Sequence, residues 1–242
     1  MLLYYLIQLL IKNPIAFFIA IFVLIFPLLI SITVHEWSHG MVAYLFGDPT
    51  PKRQGRLTFN PLAHLDPIGT LMLFIVGIGW AKPIEINPDN IPGKTKQMLV
   101  ALAGPASNLV MAILFSVILY IMSQYFDISL TRFQLEAGII GILGGFLSII
   151  IQINIILAIF NMLPIPPLDG SNIVKWILPQ NIAEAYYSKL APFGLFFLLL
   201  LMFTGALRYI FAAAKVVEMF IFRVLDFLLG PIFASVLAFI GY

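Results

Sequence analysis

The 242-residue chain contains no cysteine. That absence excludes disulfides, thiol nucleophiles and thiolate ligands, so any metal centre must be built from imidazoles and carboxylates. Charge is nearly as scarce. Asp, Glu, Lys and Arg together make up 10% of the residues, against 62% hydrophobic and a mean hydropathy of +1.05. A soluble domain of this size needs far more polar surface, which leaves a multi-spanning membrane protein. A formal net charge of +2 is too weak for a nucleic-acid partner. The sequence has no internal repeat, low-complexity tract or linker, so residues 1–242 read as a single membrane domain. Its first residues, MLLYYLIQLLIKNP, lack both a basic leader and a small-residue cleavage site and do not read as a signal peptide. Too short to span, they are expected to form an interfacial helix or the lead-in to the next segment.

What is abundant is apolar sequence in long runs. Stretches at 15–46, 97–126, 136–163, 190–211 and 213–239 are each about long enough to cross a bilayer. A shorter one at 67–80, PIGTLMLFIVGIGW, is glycine-rich and suits a re-entrant segment better than a span. It is flanked by the alternating patterns GRLTFNP and KPIEINP, which read as strands. The expected fold is therefore all-α and polytopic, with about five to six transmembrane helices and a small membrane-associated β or re-entrant region at 55–87. If 67–80 turns back, Lys52, Arg53, Arg56, Lys82, Lys94 and Lys96 share one face, joined later by Lys175 and Lys189. The opposite face keeps little beyond Lys12 and Arg132. That bias places the lysine-rich side in the cytoplasm. In the last stretch, Arg208, Lys215, Glu218, Arg223 and Asp226 fall on one helical face. They suit either a surface helix with Lys215–Glu218 and Arg223–Asp226 pairs or a last span that faces protein.

Into this apolar background the segment SITVHEWSHGMVAYLFG places His35, Glu36 and His39. Two histidines four residues apart stack on one helix face and can share one ion. Glu36 lies about 100° round the helix, able to reach a metal-bound water without being a ligand. His35 precedes Phe46 by about three turns, roughly 16 Å along the axis. If Gly47-Asp48-Pro49 marks the membrane surface, the imidazoles sit well below it, where ionisable groups cost several kcal/mol unless paired or coordinated. A third protein ligand is needed, and the candidates are His64, Asp48, Asp66 and Asp169. Asp169 is the best placed, because NMLPIPPLDGSN ends a long apolar run and its prolines 164, 166 and 167 forbid regular helix. Broken backbone at membrane depth belongs where it lines a cavity or is buried in protein.

HExxH at 35–39 together with NxxPxPxLDG at 161–170 resembles the site-2 protease family of intramembrane zinc metalloproteases, matched at every fixed position of the second motif. LTFNPLAHLDPIGT and LAGPASN (102–108) also resemble segments between the two motifs in compact prokaryotic members, which have no PDZ or other soluble regulatory domain. The resemblance covers about residues 15–175, the expected catalytic core, and leaves the helices of 190–242 as a candidate substrate gate. It implies one zinc ion per chain held by His35, His39 and Asp169, Glu36 as catalytic acid/base, and Asn161 beside the site holding substrate or the oxyanion. Asn108, His64 and Pro164 are candidate substrate contacts. The implied activity is cleavage of single-pass transmembrane substrates within the lipid bilayer of a prokaryotic cell, with the active site open to the cytoplasm. The alternatives from other classes are a metal-ion transporter and a metal-binding membrane protein without activity. Transport is disfavoured because the polar groups converge on one centre rather than scattering over repeats.

Overall fold

The computed structural model describes residues 2–76, 79–126 and 138–240. Arg132 falls outside the described residues. Helix α1 (Leu2–Lys12) is followed by α2 (Pro14–Leu45), α3 (Thr50–Arg53) and α4 (Pro67–Val76). Then come α5 (Lys94–Tyr125), α6 (Gly138–Asn161), α7 (Asp169–Ile177), α8 (Gln180–Leu190), α9 (Gly194–Phe203) and α10 (Leu207–Ile240). Four stretches are long and apolar enough to cross a membrane among the described residues: Pro14–Leu45, Lys94–Tyr125, Gly138–Asn161 and Gln180–Phe203. The sequence alone pointed to five or six.

Local chemistry sets the ends. Asn13 caps α2 by accepting from the Ala16 N–H at 3.0 Å, and Pro14 occupies the first helical position, where its missing N–H costs nothing. The bundle is built on α6, whose buried face carries Gly141, Gly144, Gly145 and Ser148 among larger apolar residues. Small residues let helices approach closely where lipid removes most of the hydrophobic drive. One side of α6 and α5 meets α2, and the other meets α10. There Ala112, Leu119 and Tyr120 of α5, Leu147, Ile151 and Ile155 of α6, and Ala214, Ile221 and Leu225 of α10 form one core.

In the last stretch, one face of α10 packs against protein, although α10 is not among the four candidate spans. Glu218 is buried, with Lys215 Nζ 3.0 Å from its Oε2. The expected Arg223–Asp226 pair is replaced by a bond from the Tyr120 hydroxyl to Asp226 Oδ1, 2.9 Å.

The region at 55–87 differs from the strands its alternation suggested. Among the described residues it holds one isolated antiparallel bridge, Leu65 with Ala81, and the helix α4 between the two arms. Pro61, Pro67 and Pro83 remove N–H donors that a ladder would use. One backbone bond and two side-chain contacts hold the arms in place of a ladder. Arg56 donates to the Lys82 carbonyl, Lys82 N–H donates to the His64 carbonyl at 2.9 Å, and Trp37 stacks on Phe59 with centroids 4.7 Å apart.

Asp48 ties the end of α2 to the second arm. Its fully buried carboxylate accepts from Thr50 Oγ1 (2.6 Å), Thr50 N–H (3.1 Å), Asn87 N–H (2.8 Å) and Asn90 Nδ2 (2.9 Å). Burial alone would raise its pKa, but these four hydrogen bonds outweigh it and hold the carboxyl below its ordinary value. A depressed folded-state pKa contributes stability above the unfolded value, near pH 4, and loses it as pH falls through the folded value. Asp48→Ala is therefore expected to cost about 2–3 kcal/mol at pH 7 and to flatten the acid limb below pH 4. Thermal melts at pH 7 and pH 3 check both. Equal melting shifts at the two pH values would refute the assignment.

Candidate active site

α2 carries His35 and His39 on its buried face, and α5 and α7 bring the groups that meet them. His35 Nδ1 is 2.6 Å from Asn108 Oδ1, and His39 Nδ1 is 2.7 Å from the Val100 carbonyl. Both partners are on α5, where Pro105 interrupts the ladder in the same region. The amide orientations follow from unambiguous acceptors. Asn154 Nδ2 donates to the Ile150 carbonyl (2.8 Å) and to Ser31 Oγ (2.8 Å). Asn154 Oδ1 then accepts from Asn108 Nδ2 at 2.8 Å, and the Ser31 carbonyl receives the same group at 3.3 Å. Asn108 Oδ1 must therefore face His35 as an acceptor, so each Nδ1 carries its ring's hydrogen.

Both Nε2 atoms consequently point lone pairs at a common centre. They lie 3.2 Å apart. Asp169 supplies Oδ2 at 3.1 Å from His35 Nε2 and Oδ1 at 3.3 Å from His39 Nε2. Tetrahedral zinc with ligand bonds of about 2.0–2.1 Å places its ligands about 3.3 Å apart. The two imidazoles match that spacing, Asp169 brings one oxygen to a similar distance from each, and its Oδ2 is buried with no hydrogen-bond donor. One proton could serve one of these contacts; a divalent cation serves all three. The residues present fit zinc.

Asp169 reaches this point because α7 begins against the end of α6. A Cβ on Gly170 would collide with the Met162 and Leu163 backbone carbonyls, so only glycine permits the approach. Glu36 stands beside the cluster without joining it: its Oε2 accepts from the Ile84 N–H at 3.0 Å. A cavity of about 430 Å³ opens on the site, lined by His35, Glu36, His39, Asp169, Asn161 and residues of the arm 80–86. Asn161 has its Nδ2 turned back to the Leu157 carbonyl, 3.0 Å.

The other candidates lie elsewhere. Asn108 is fully buried behind His35, and His64 is fully buried with Nε2 donating to the Thr58 carbonyl at 2.9 Å. The Pro164 carbonyl accepts from the Tyr186 hydroxyl at 2.7 Å. None of these three lines the cavity. Asp48 is occupied by its own network, and Asp66 Oδ1 accepts from the Gly69 N–H at 2.7 Å. Sequence reasoning missed Ser31, Val100, Gly104 and Asn154. For Ser31 and Asn154 the available signal was a small polar residue inside an apolar span, costly there unless it bonds to something; Val100 and Gly104 carried none.

Apolar helices enclosing two imidazoles and a carboxylate, with a second carboxylate alongside, define a polytopic membrane protein with a metallopeptidase type of centre. The comparisons agree. Residues 23–202 match Peptidase family M50, and the chain belongs to that family, the site-2 protease family its motifs resemble. It is 39% identical to YwhC of Bacillus subtilis over 183 residues, 75% of this chain and 80% of that protein. It is 29% identical to Rip2 of Mycolicibacterium smegmatis over 188 residues, 74% of this chain and 66% of that protein. Zinc metalloprotease MJ0392 of Methanocaldococcus jannaschii is 26% identical over 162 residues, 67% of this chain but 36% of its own length. No solved structure is a significant match.

Proposed function

We propose that the chain is a zinc metalloendopeptidase that hydrolyses peptide bonds of single-pass membrane proteins within the bilayer. The observation that carries this reading is the convergence of three lone-pair donors, His35, His39 and Asp169, at the wall of a cavity that Glu36 also lines. The names of YwhC, Rip2 and MJ0392 all include the words zinc metalloprotease, which supports zinc as the ion. One zinc held by these three residues supplies a Lewis acid toward the scissile carbonyl and lowers the pKa of water toward neutrality.

The chain's own residues supply the rest. Glu36 takes a proton from water as its oxygen attacks the carbonyl carbon, then delivers that proton to the nitrogen as the C–N bond breaks. Its Oε2 is fixed by Ile84, which leaves the other oxygen for proton transfer. Asn161 lines the cavity with its Nδ2 tied to Leu157, so we assign its Oδ1 to hold a substrate N–H; donation to the oxyanion requires the amide to turn. An unwound substrate lies along the arm 80–86, whose backbone passes Glu36, and replaces its lost helical hydrogen bonds there.

We place the catalytic core within 15–175 and assign a gate to α9. Gly194 at its start rests on the Pro166 carbonyl, so the helix leaves the bundle where the Pro-broken segment borders the cavity. The lysine-rich side is assigned to the cytoplasm, in the cell membrane of a prokaryote, as its bacterial and archaeal relatives suggest.

The test compares wild type with Glu36→Gln in zinc content and in cleavage of a panel of single-span membrane segments. Glu36→Gln is expected to keep its zinc and lose about 10²–10⁴-fold in kcat. Wild type that carries zinc into liposomes and cuts nothing would favour a transporter.

A further inference from the structure

α7 presents more than Asp169 to the cavity. Asp169, Asn172, Lys175 and Trp176 recur at helical spacing along one face, and all four line it. Lys175 is the cation among the lining residues, which otherwise include the carboxylates Glu36 and Asp169. Its Nζ lies 5.1 Å from the Trp176 ring centroid and 5.1 Å from that of Tyr187 on α8. Two aromatic faces hold the ammonium without neutralising it. Among the described residues no carboxylate stands within ion-pair distance of it. A half-buried, positioned and uncompensated cation on the wall of a peptide-binding cavity is a receptor for an anion.

We propose that Lys175 is a specificity subsite that reads an acidic side chain on the substrate, on the side of the scissile bond that leads out along α7. This rests on the reading of the chain as a protease. The distance sets the register. Six residues of helix separate Asp169 from Lys175, about 9 Å along the axis, which an extended peptide covers in about three residues. The acidic side chain therefore sits about three to four residues from the cut. A lysine flanked by Trp and Tyr also suits an interfacial anchor for lipid phosphate. Its place on the cavity wall favours the substrate.

The test uses a host membrane segment of leucine and alanine with one Gly-Pro pair. A single Asp, Asn or Lys is scanned over the six positions on either side of that pair. Cleavage is measured by mass spectrometry for zinc-loaded wild type, Lys175→Arg, Lys175→Gln and Lys175→Glu, in nanodiscs of phosphatidylcholine alone and with phosphatidylglycerol. Binding of the same segments to Glu36→Gln, with and without Lys175→Glu, is measured by fluorescence anisotropy.

Wild type and Lys175→Arg are expected to prefer Asp over Lys by about 10-fold in kcat/KM at one register, equivalent to about 1.4 kcal/mol. Lys175→Gln should abolish that preference and Lys175→Glu reverse it, read as the ratio of kcat/KM for the Asp and Lys segments within each variant. An Asp preference that survives Lys175→Glu overturns the subsite. So does a Lys175 effect that follows the anionic lipid and not the peptide, which would make the residue a lipid anchor. Charge-selective binding to Glu36→Gln that depends on Lys175, with no cutting by wild type, would keep the subsite and reject the protease.

Discussion

Gly104→Ala is expected to yield a folded protein that binds no zinc and cuts nothing. On helix propensity alone the substitution should help, since alanine is favoured over glycine by up to about 1 kcal/mol. The site reverses the sign. A Cβ at position 104 would collide with His39 Nε2 and lie 2.6 and 2.7 Å from His35 Cε1 and Nε2. These are the atoms and ring edges that face the metal position. Neither ring can retreat, because Asn108 and the Val100 carbonyl hold them from the same helix that carries the new methyl. The rings must swing out of register or α5 must shift from α2, an overpacking cost of about 1–3 kcal/mol. The rest of the α5–α6–α10 core lies along other turns and is untouched. The expected readings are a modest fall in melting temperature, background zinc by elemental analysis, and no cleavage. Full zinc occupancy with wild-type activity would show that the imidazoles do not need this glycine.

Gly104 also marks where sequence reading stops. The HExxH spacing on one helix and the proline-broken carboxylate at 169 are legible because each is costly in an apolar chain and each implies a partner. That the two would meet was inferred; the structure brings their ligand atoms within 4.8 Å of one another. The support behind them is faint in sequence. A glycine, an asparagine and a serine inside apolar spans look like packing residues until three-dimensional contact shows Asn154 and Ser31 orienting Asn108, and Asn108 orienting His35.

The alternating segments at 55–87 misled for a related reason. Period two reports which side chains face which way, but a ladder also needs backbone donors, and prolines remove several of them. In α10 the charges on one face left two readings open. The apolar residues Ala214, Ile221 and Leu225, with Glu218 turned inward, give it one face packed against protein. Tyr120 claims Asp226 from another helix, a contact no local pattern encodes.

Asp169→Ala separates metal-dependent stability from the stability of the bundle. A ligand that binds only the folded state stabilises it by RT ln(1 + [L]/Kd), about 4 kcal/mol at a thousandfold excess over Kd. For a chain of this size that corresponds to a rise of about 10 °C in melting temperature on adding zinc. In wild type a chelator should remove that increment. Asp169→Ala leaves two imidazoles, which is too few protein ligands for a tight zinc site. Its melting curves with zinc and with chelator should therefore coincide, its zinc content should fall to background, and cleavage should be undetectable. Asp48→Ala is the contrasting case. It loosens the junction between α2 and the arm at 84–90 without touching the ligands, so its melting curve should drop while its response to zinc persists. Stoichiometric zinc on Asp169→Ala would mean that another group closes the site, and the assignment of this carboxylate would have to be given up.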